Sequence, residues 1–219
     1  MNKNMKIVGS SAHTTEERHP DDYYATDSDD FETFLHQLSL DGFTLSPQIW
    51  EPACGEGHIA KVLERWGHEV TATDLHDRGY GKRHDFLSEE NFLFTYSDFR
   101  APTSWPGDII TNPPYKGSID IDFVKKSLEY VEPGRYVMML FKTIWQNSKG
   151  RFELFQMHKP KYIYNYSFRI RIYKGGVGES NNALDYSWFV WQKGFTGETK
   201  TRFIPNPKWG YTDFKNVEQ

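Results

Sequence analysis

The chain has one cysteine in 219 residues, Cys54, which excludes an intramolecular disulfide framework and a zinc site built from several thiolates. No apolar run reaches the length of a membrane span, and Met1 to Ser10 lacks the profile of a signal peptide. The eight histidines are scattered without ligand spacing and read as surface or packing residues, so no metal is expected. Nor is there a basic excess: the net charge is −4, which does not mark a nucleic-acid binder. A reducing, cytoplasmic setting fits this set of absences. What is present is a high aromatic share, 16%, within 37% apolar residues, enough for one packed domain of this length and not clearly two.

Charge is unevenly spread. Thr14 to Glu32 carries eight acids against Arg18, and Lys142 to Lys174 carries eight bases against Glu153. Such asymmetry predicts one basic face on an acidic protein.

Residues 1–20 are polar and read as a flexible N-terminus, 21–205 as a single domain and 206–219 as a tail. Apolar residues at 31, 34, 35 and 38 predict a helix over Phe31 to Leu40. Ile49-Trp50 reads as a first strand, His58 to Trp66 as a helix closed by Gly67, and Glu69 to Thr73 as a second strand ending at Asp74. Asp108 to Thr111 and the fully apolar Arg135 to Lys142 read as buried strands flanking an amphipathic helix, Ile121 to Tyr130. Lys149 to Met157 suits a short helix. Lys161 to Tyr166 and Ser187 to Gln192 read as late strands around a mobile loop containing Gly175, Gly176 and Gly178. The alternation predicts an α/β, doubly wound, mostly parallel sheet with ligands at its carboxyl edge.

The most informative stretch is Asp108-Ile-Ile-Thr-Asn112-Pro113-Pro114-Tyr115. A short strand runs into a turn stiffened by two prolines, each of which restricts its neighbours. The Asn112 side chain and a backbone carbonyl are then a fixed pair of acceptors beside an aromatic face, which suits a planar amino group with two hydrogens. Upstream, Gly55 and Gly57 allow close passage of backbone and ligand. Asp74 follows Gly57 by 17 residues, where an acid can accept both hydroxyls of a ribose. Glu51, before the loop, would repel a pyrophosphate and attract a cofactor bearing an ammonium and a sulfonium. S-adenosylmethionine carries both.

On these residues the chain resembles the S-adenosylmethionine-dependent DNA adenine-N6 methyltransferases, in the compact form carried by bacteriophages. Glu51-Pro52-Ala53-Cys54-Gly55-Glu56-Gly57-His58 resembles the family's motif I, Asp74 its motif II acid and Asn112 to Tyr115 its catalytic motif IV. Asp21 to Thr26 resembles the segment packing over the methionine part of the cofactor, although Asp27 stands where the family often has proline. The match covers roughly residues 20 to 195.

The resemblance implies a Rossmann-like class I methyltransferase with a seven-stranded sheet and a C-terminal antiparallel hairpin. Asn112, Pro113, Pro114 and Tyr115 would be catalytic. Tyr24, Thr26, Glu51, Pro52, Ala53, Cys54, Gly55, Gly57, Asp74, Leu75 and Asn112 would surround the cofactor. The acid for the cofactor's adenine amino group has two candidates, Asp85 (before Phe86) and Asp98 (before Phe99), with Asp98-Phe99 preferred for its distance from motif IV. Cys54 lies inside the cofactor loop and is rejected as a nucleophile. Trp145 reads as a core residue. The implied partner is DNA, methylated with relaxed sequence specificity, because Thr111 follows Asp74 by only 37 positions and leaves no room for a large recognition domain. A monomer or weak dimer, with no membrane and no metal, completes the expectation. Methyltransferases acting on RNA or on a protein glutamine amide share the turn, and a non-catalytic cofactor- or DNA-binding module is the alternative of another class.

Overall fold

A computed structural model describes residues 23–88, 104–176 and 184–210. Its elements in chain order are β1 (Tyr24–Thr26), α1 (Ser28–Leu40), β2 (Gln48–Glu51), α2 (His58–Arg65), β3 (Glu69–Asp74), β4 (Lys82–Arg83) and β5 (Asp108–Thr111). There follow α3 (Ile119–Tyr130), β6 (Tyr136–Lys142), a 3-10 turn at Thr143–Gln146, α4 (Lys149–Met157), β7 (Tyr162–Tyr166), β8 (Ile172–Lys174), β9 (Tyr186–Gln192) and β10 (Lys200–Ile204).

Eight strands form one sheet in the order β10-β7-β9-β6-β5-β2-β3-β4. All are parallel except β9, which lies antiparallel between β6 and β7. The expected doubly wound class is therefore present. It has one strand more than expected because β10 adds to the open edge of β7. The antiparallel pair at the C-terminal side is β7 with β9, but the chain between them is not a simple loop. It contains β8, which leaves the main sheet and pairs antiparallel with β1, Tyr24 opposite Lys174. Gly175 and Gly176 end that strand; Gly178 lies outside the described residues.

Period-two alternation divides the core. In β6, Met138 and Leu140 face α1 and α2, whereas Val137, Met139 and Phe141 face α3 and α4. Both faces are covered, which is why this strand is apolar throughout. Helix α1 starts at Asp27, whose Oδ1 accepts the N–H groups of Asp29 and Asp30 at 3.0 and 3.2 Å. It buries Phe31, Phe34, Leu35 and Leu38, with Phe34 stacked on Trp188 at 4.6 Å between centroids. Trp145 is a core residue, stacked on Phe141 at 4.0 Å and donating to Asp120 Oδ2 at 2.6 Å.

At the amino edge of the sheet, Asp108 ties three strands. It is buried, and its carboxylate accepts Ser46 N–H at 2.6 Å and Tyr136 N–H at 2.8 Å, at the entries to β2 and β6. Burial raises its pKa against the lowering effect of those two bonds. Asp108→Ala strands two buried donors, each costing about 1–3 kcal/mol. We expect a loss of about 2–4 kcal/mol, seen as a melting temperature lower by about 10 °C in a chain of this size, with Asp108→Asn milder because it keeps an acceptor. Unchanged melting of Asp108→Ala would remove this role.

The chain leaves β2 to one side through β3 and β4, then crosses back to β5 and β6 on the other. The carboxyl ends of β2 and β5 thus flank a topological switch point, where open α/β sheets hold ligands.

Candidate active site

Four strand ends meet at that point. Glu51 ends β2, Asp74 ends β3, the loop after β4 brings Asp85-Phe86-Leu87, and Asn112-Pro113-Pro114-Tyr115 leaves β5. With β1 laid across, they line one cavity of about 420 Å³. Of the residues expected there, Tyr24, Thr26, Glu51, Pro52, Ala53, Cys54, Asp74, Leu75, Asp85, Asn112, Pro113, Pro114 and Tyr115 all line it. Asp98 and Phe99 lie outside the described residues. Asp85 is an exposed rim residue, while Phe86 beside it is buried against Trp50 and Phe123 with centroids 5.2 and 4.9 Å apart.

The cavity also takes in residues that sequence reading did not single out. Leu87, Ile119 and Phe123 add an apolar wall facing the half-exposed Leu75 side, and Lys116 stands beside the turn. Tyr23 and Arg78 line it too, the guanidinium 4.2 Å from the centre of the Tyr23 ring. Position after a strand end was the available signal for Leu87 and Lys116; nothing in the sequence pattern pairs Tyr23 with Arg78.

Gly55 and Gly57 form the bend beside the cavity. Neither lines the cavity. Gly55 has φ +53°, and a Cβ there would sit 2.4 Å from the Tyr23 ring; Gly57 has φ +80°, and a Cβ would sit 2.5 Å from the Tyr80 ring. The missing side chains make room for the protein's own aromatics and for a left-handed turn into α2. Asp74 holds this bend to β3. Its Oδ2 accepts Gly55 N–H and its Oδ1 accepts His76 N–H, both at 2.9 Å. A carboxylate has about four lone-pair sites, so each oxygen can still accept one ligand hydroxyl.

Glu51 is buried, and its Oε2 has no partner among the described residues. Burial, reinforced by the charges of Asp74 and Glu64, holds its carboxyl well above the usual range, against one backbone N–H bond from Ala60. A buried acid with an idle oxygen, on a residue that lines a cavity, suits a cation brought against it. Cys54 is different in kind. Burial, with Glu51 and Asp74 nearby, pushes its thiol up, and Sγ points to the carbonyls of Gly55 and Tyr80 at 3.7 and 3.6 Å. It stays a thiol and lacks the thiolate a nucleophile needs.

The turn is held from both sides. Asn112 Nδ2 donates to the Tyr24 carbonyl at 2.9 Å and to Thr26 Oγ1 at 3.1 Å. Its Oδ1 therefore faces the other way, where the Tyr115 hydroxyl bonds to it. That hydroxyl also lies 3.0 Å from the Leu140 carbonyl. Tyr115 lines the cavity and is tethered through its hydroxyl. Its ring packs into the core near Phe141, with centroids 6.0 Å apart, because the phenol satisfies the half-buried Asn112 oxygen. The phenol has one hydrogen and two acceptors, so it can turn to Leu140 and release Asn112.

The acidic and basic stretches meet: Arg171 reaches Asp27 at 2.6 Å, Asp30 at 3.1 Å and Asp29 at 3.5 Å. Arg151 pairs with Asp120, Lys149 with Glu153 and Lys159 with Glu198. Lys149, Arg151, Lys159 and Arg171 are thus each paired with a carboxylate. Among the described residues no group of acids, histidines and cysteine is placed to hold a metal, and no helix is long and apolar enough to cross a membrane.

No protein-family model matches the chain, and no curated protein matches it. Solved structures do. A putative class I S-adenosylmethionine-dependent methyltransferase from Listeria monocytogenes superposes with a TM-score of 0.55 at 14% identity, covering 86% of this chain and 71% of that one. A type I restriction-modification methyltransferase subunit from Streptococcus thermophilus gives 0.54 at 11% identity, over 80% of this chain and 45% of that one. A putative RNA methyltransferase from Pyrococcus horikoshii gives 0.51 at 14%, over 77% and 84%. The chain has the class I methyltransferase fold. At these identities the likeness extends to architecture and no further.

Proposed function

We propose that this protein transfers a methyl group from S-adenosylmethionine to the exocyclic N6 amino group of adenine in DNA. The observation that carries this reading is one cavity shared by Glu51, a buried carboxyl with one unpartnered oxygen, and the Asn112 turn. The donor set fits the cofactor. Glu51 Oε2 suits its ammonium, the free lone pairs of Asp74 its ribose hydroxyls, and Leu75 with Leu87 the faces of its adenine. Asp85 at the rim suits the amino group of that ring; Asp98 keeps the same proposal open from outside the described residues. When bound, S-adenosylmethionine supplies an electrophilic methyl on a sulfonium.

The remaining chemistry belongs to the chain. The lone pair of an adenine N6 is delocalised into its ring, and the nitrogen is a poor nucleophile. Asn112 Oδ1 and the Pro113 carbonyl accept its two N–H bonds, favour a tetrahedral nitrogen and stabilise positive charge as it develops. The prolines keep those acceptors fixed, so no reorganisation is needed during reaction. Tyr115 turns its hydrogen to the Leu140 carbonyl as the amino group arrives, and its ring edge borders the base. No general base is required before transfer; the nitrogen that gains the methyl would afterwards release its extra proton to water, with S-adenosylhomocysteine as the co-product. A base in a duplex cannot enter this cavity, so it must be extruded at a cost of a few kcal/mol of stacking.

Support for a nucleobase over a protein amide comes from the apolar side chains of Ile119 and Phe123 in the lining, which suit the face of a planar ring. Lys116 at the rim suits a phosphate beside it. The reading is tested by incubating the protein with S-adenosylmethionine and unmethylated DNA, then digesting to nucleosides. N6-methyladenine by mass spectrometry is expected in DNA. Label appearing instead in RNA, or in a glutamine side chain of a release factor, would move the assignment to that substrate.

A further inference from the structure

Thr26 stands in the cofactor-contact segment by sequence resemblance, yet its hydroxyl contacts Asn112. It is almost fully buried, and it shares Asn112 Nδ2 with the Tyr24 carbonyl. The two ends of a primary amide are nearly the same size, so its facing is decided by hydrogen bonds. The Tyr24 carbonyl is an acceptor and cannot tolerate the amide oxygen. With Thr26 beside it, the NH2 end is drawn to β1 and the oxygen is presented to the opposite side.

Strand β1 is itself pinned at both ends. Asp27 N–H donates to the Arg171 carbonyl at 3.1 Å, and Gly175 N–H donates to the Tyr23 carbonyl at 3.0 Å. Arg171 N–H donates to Asp30 Oδ2 at 2.7 Å, and the Tyr173 hydroxyl donates to Asp27 Oδ2 at 2.8 Å. The Arg171 guanidinium bridges Asp27 and Asp30 across the start of α1. Of these residues Tyr23 lines the cavity, whereas Asp27, Asp30, Arg171, Tyr173 and Gly175 do not. They fix where the Tyr24 carbonyl and the Thr26 hydroxyl sit.

We propose that β1 is a positioning element for the reactive amide: Thr26 and the Tyr24 carbonyl set which end of Asn112 faces the substrate, and the Arg171 clamp holds β1 to that task. The proposal deepens the methyl-transfer reading and rests on it for its kinetic consequence. Its geometric half stands apart from that reading. An acceptor presented in the wrong sense would offer N–H to N–H, and a planar amino group could not be held. Thr26 acts through Asn112 and is a positioning residue.

The test uses the full chain and four variants. In ¹⁵N spectra the Asn112 side-chain amide is identified by its disappearance in Asn112→Asp. In Thr26→Val that amide is expected to shift upfield and exchange with water faster, while Thr26→Ser retains the wild-type signal. Turnover of Thr26→Val is expected to fall about tenfold, the effect of losing one hydrogen bond that orients a reacting group. Thr26→Ser should restore most of it. The Kd for S-adenosylhomocysteine, by calorimetry, should stay within about twofold of wild type. Arg171→Gln, at a half-exposed site, should move the Asn112 signal in the same direction and is the second variant if Thr26→Val does not fold. An unchanged Asn112 signal in both variants overturns the proposal. So does a weakened S-adenosylhomocysteine Kd with turnover intact at saturation, which would return Thr26 to a cofactor contact. Wild-type protein inactive on every substrate would sink the methyl-transfer reading instead, and the spectra would still decide the geometry.

Discussion

Asn112→Ala should lower turnover by about 10²–10³-fold or more, the scale on which removing a preorganised hydrogen-bonding group from a reacting centre acts. The affinity for S-adenosylhomocysteine should weaken no more than several-fold. Both expectations follow from the two ends of one side chain. In the proposed reaction the oxygen end, capped by Tyr115, meets the substrate; the nitrogen end bonds to β1. Truncation removes the first function entirely. The second is shared with the Arg171 clamp and survives in large part. Asn112→Asp should be no better than alanine, because its second oxygen would face the Tyr24 carbonyl. Single-turnover kinetics beside calorimetry separate the two effects. A variant that loses cofactor affinity but keeps its rate at saturation would contradict the assignment of Asn112.

Glu51→Gln should weaken S-adenosylhomocysteine binding by about 10- to 100-fold, the worth of one buried charge-assisted hydrogen bond. It should also abolish a pH dependence. In the cofactor-free protein the Glu51 carboxyl is held well above its usual range, chiefly by burial. To pair with an ammonium it must give up its proton, so binding releases one, and affinity rises with pH up to the raised folded-state pKa. Stability of the cofactor-free protein runs the other way. The folded state holds a proton that the unfolded chain has lost above about pH 4.5, so stability falls as pH rises from there toward the folded pKa. Asp108 contributes in the same sense and would remain in Glu51→Gln. Calorimetry in buffers of different ionisation enthalpy, with thermal melts across the same pH range, reads both effects. A pH-independent Kd in the wild-type protein would remove Glu51 as the cation receptor.

Much of the fold is legible in the sequence because its strongest elements are locally unambiguous. Tyr136 to Lys142 has no polar face, and only a strand covered on both sides has that pattern at that length. The switch point follows from the order of strands and helices. Strands β8 and β10 escape the same reasoning. Lys200 to Ile204 is largely exposed and carries no alternation, and Ile172 to Lys174 is defined by its partner β1, far away in sequence. The cavity's outline follows from strand ends, but its interior does not. A glycine in a bend signals close approach without saying what approaches; here it is Tyr23 and Tyr80. Tyr115 after two prolines signals an aromatic at the turn, yet its direction is set by the Leu140 carbonyl and the Asn112 oxygen. Charge runs mislead for a similar reason. Arg171 and Asp27 are separated by 144 positions and meet across the β1–β8 ladder. Linear counting does not show which opposite charges the fold brings together.

The central claim is that one cavity places a sulfonium cofactor beside the Asn112 turn. A crystal structure of the full chain with S-adenosylhomocysteine tests it most directly. The ammonium is predicted at Glu51, the ribose at Asp74 and the sulfur facing the Asn112 side chain. Ligand density elsewhere in the molecule, or in this cavity with its sulfur turned away from Asn112, would contradict it.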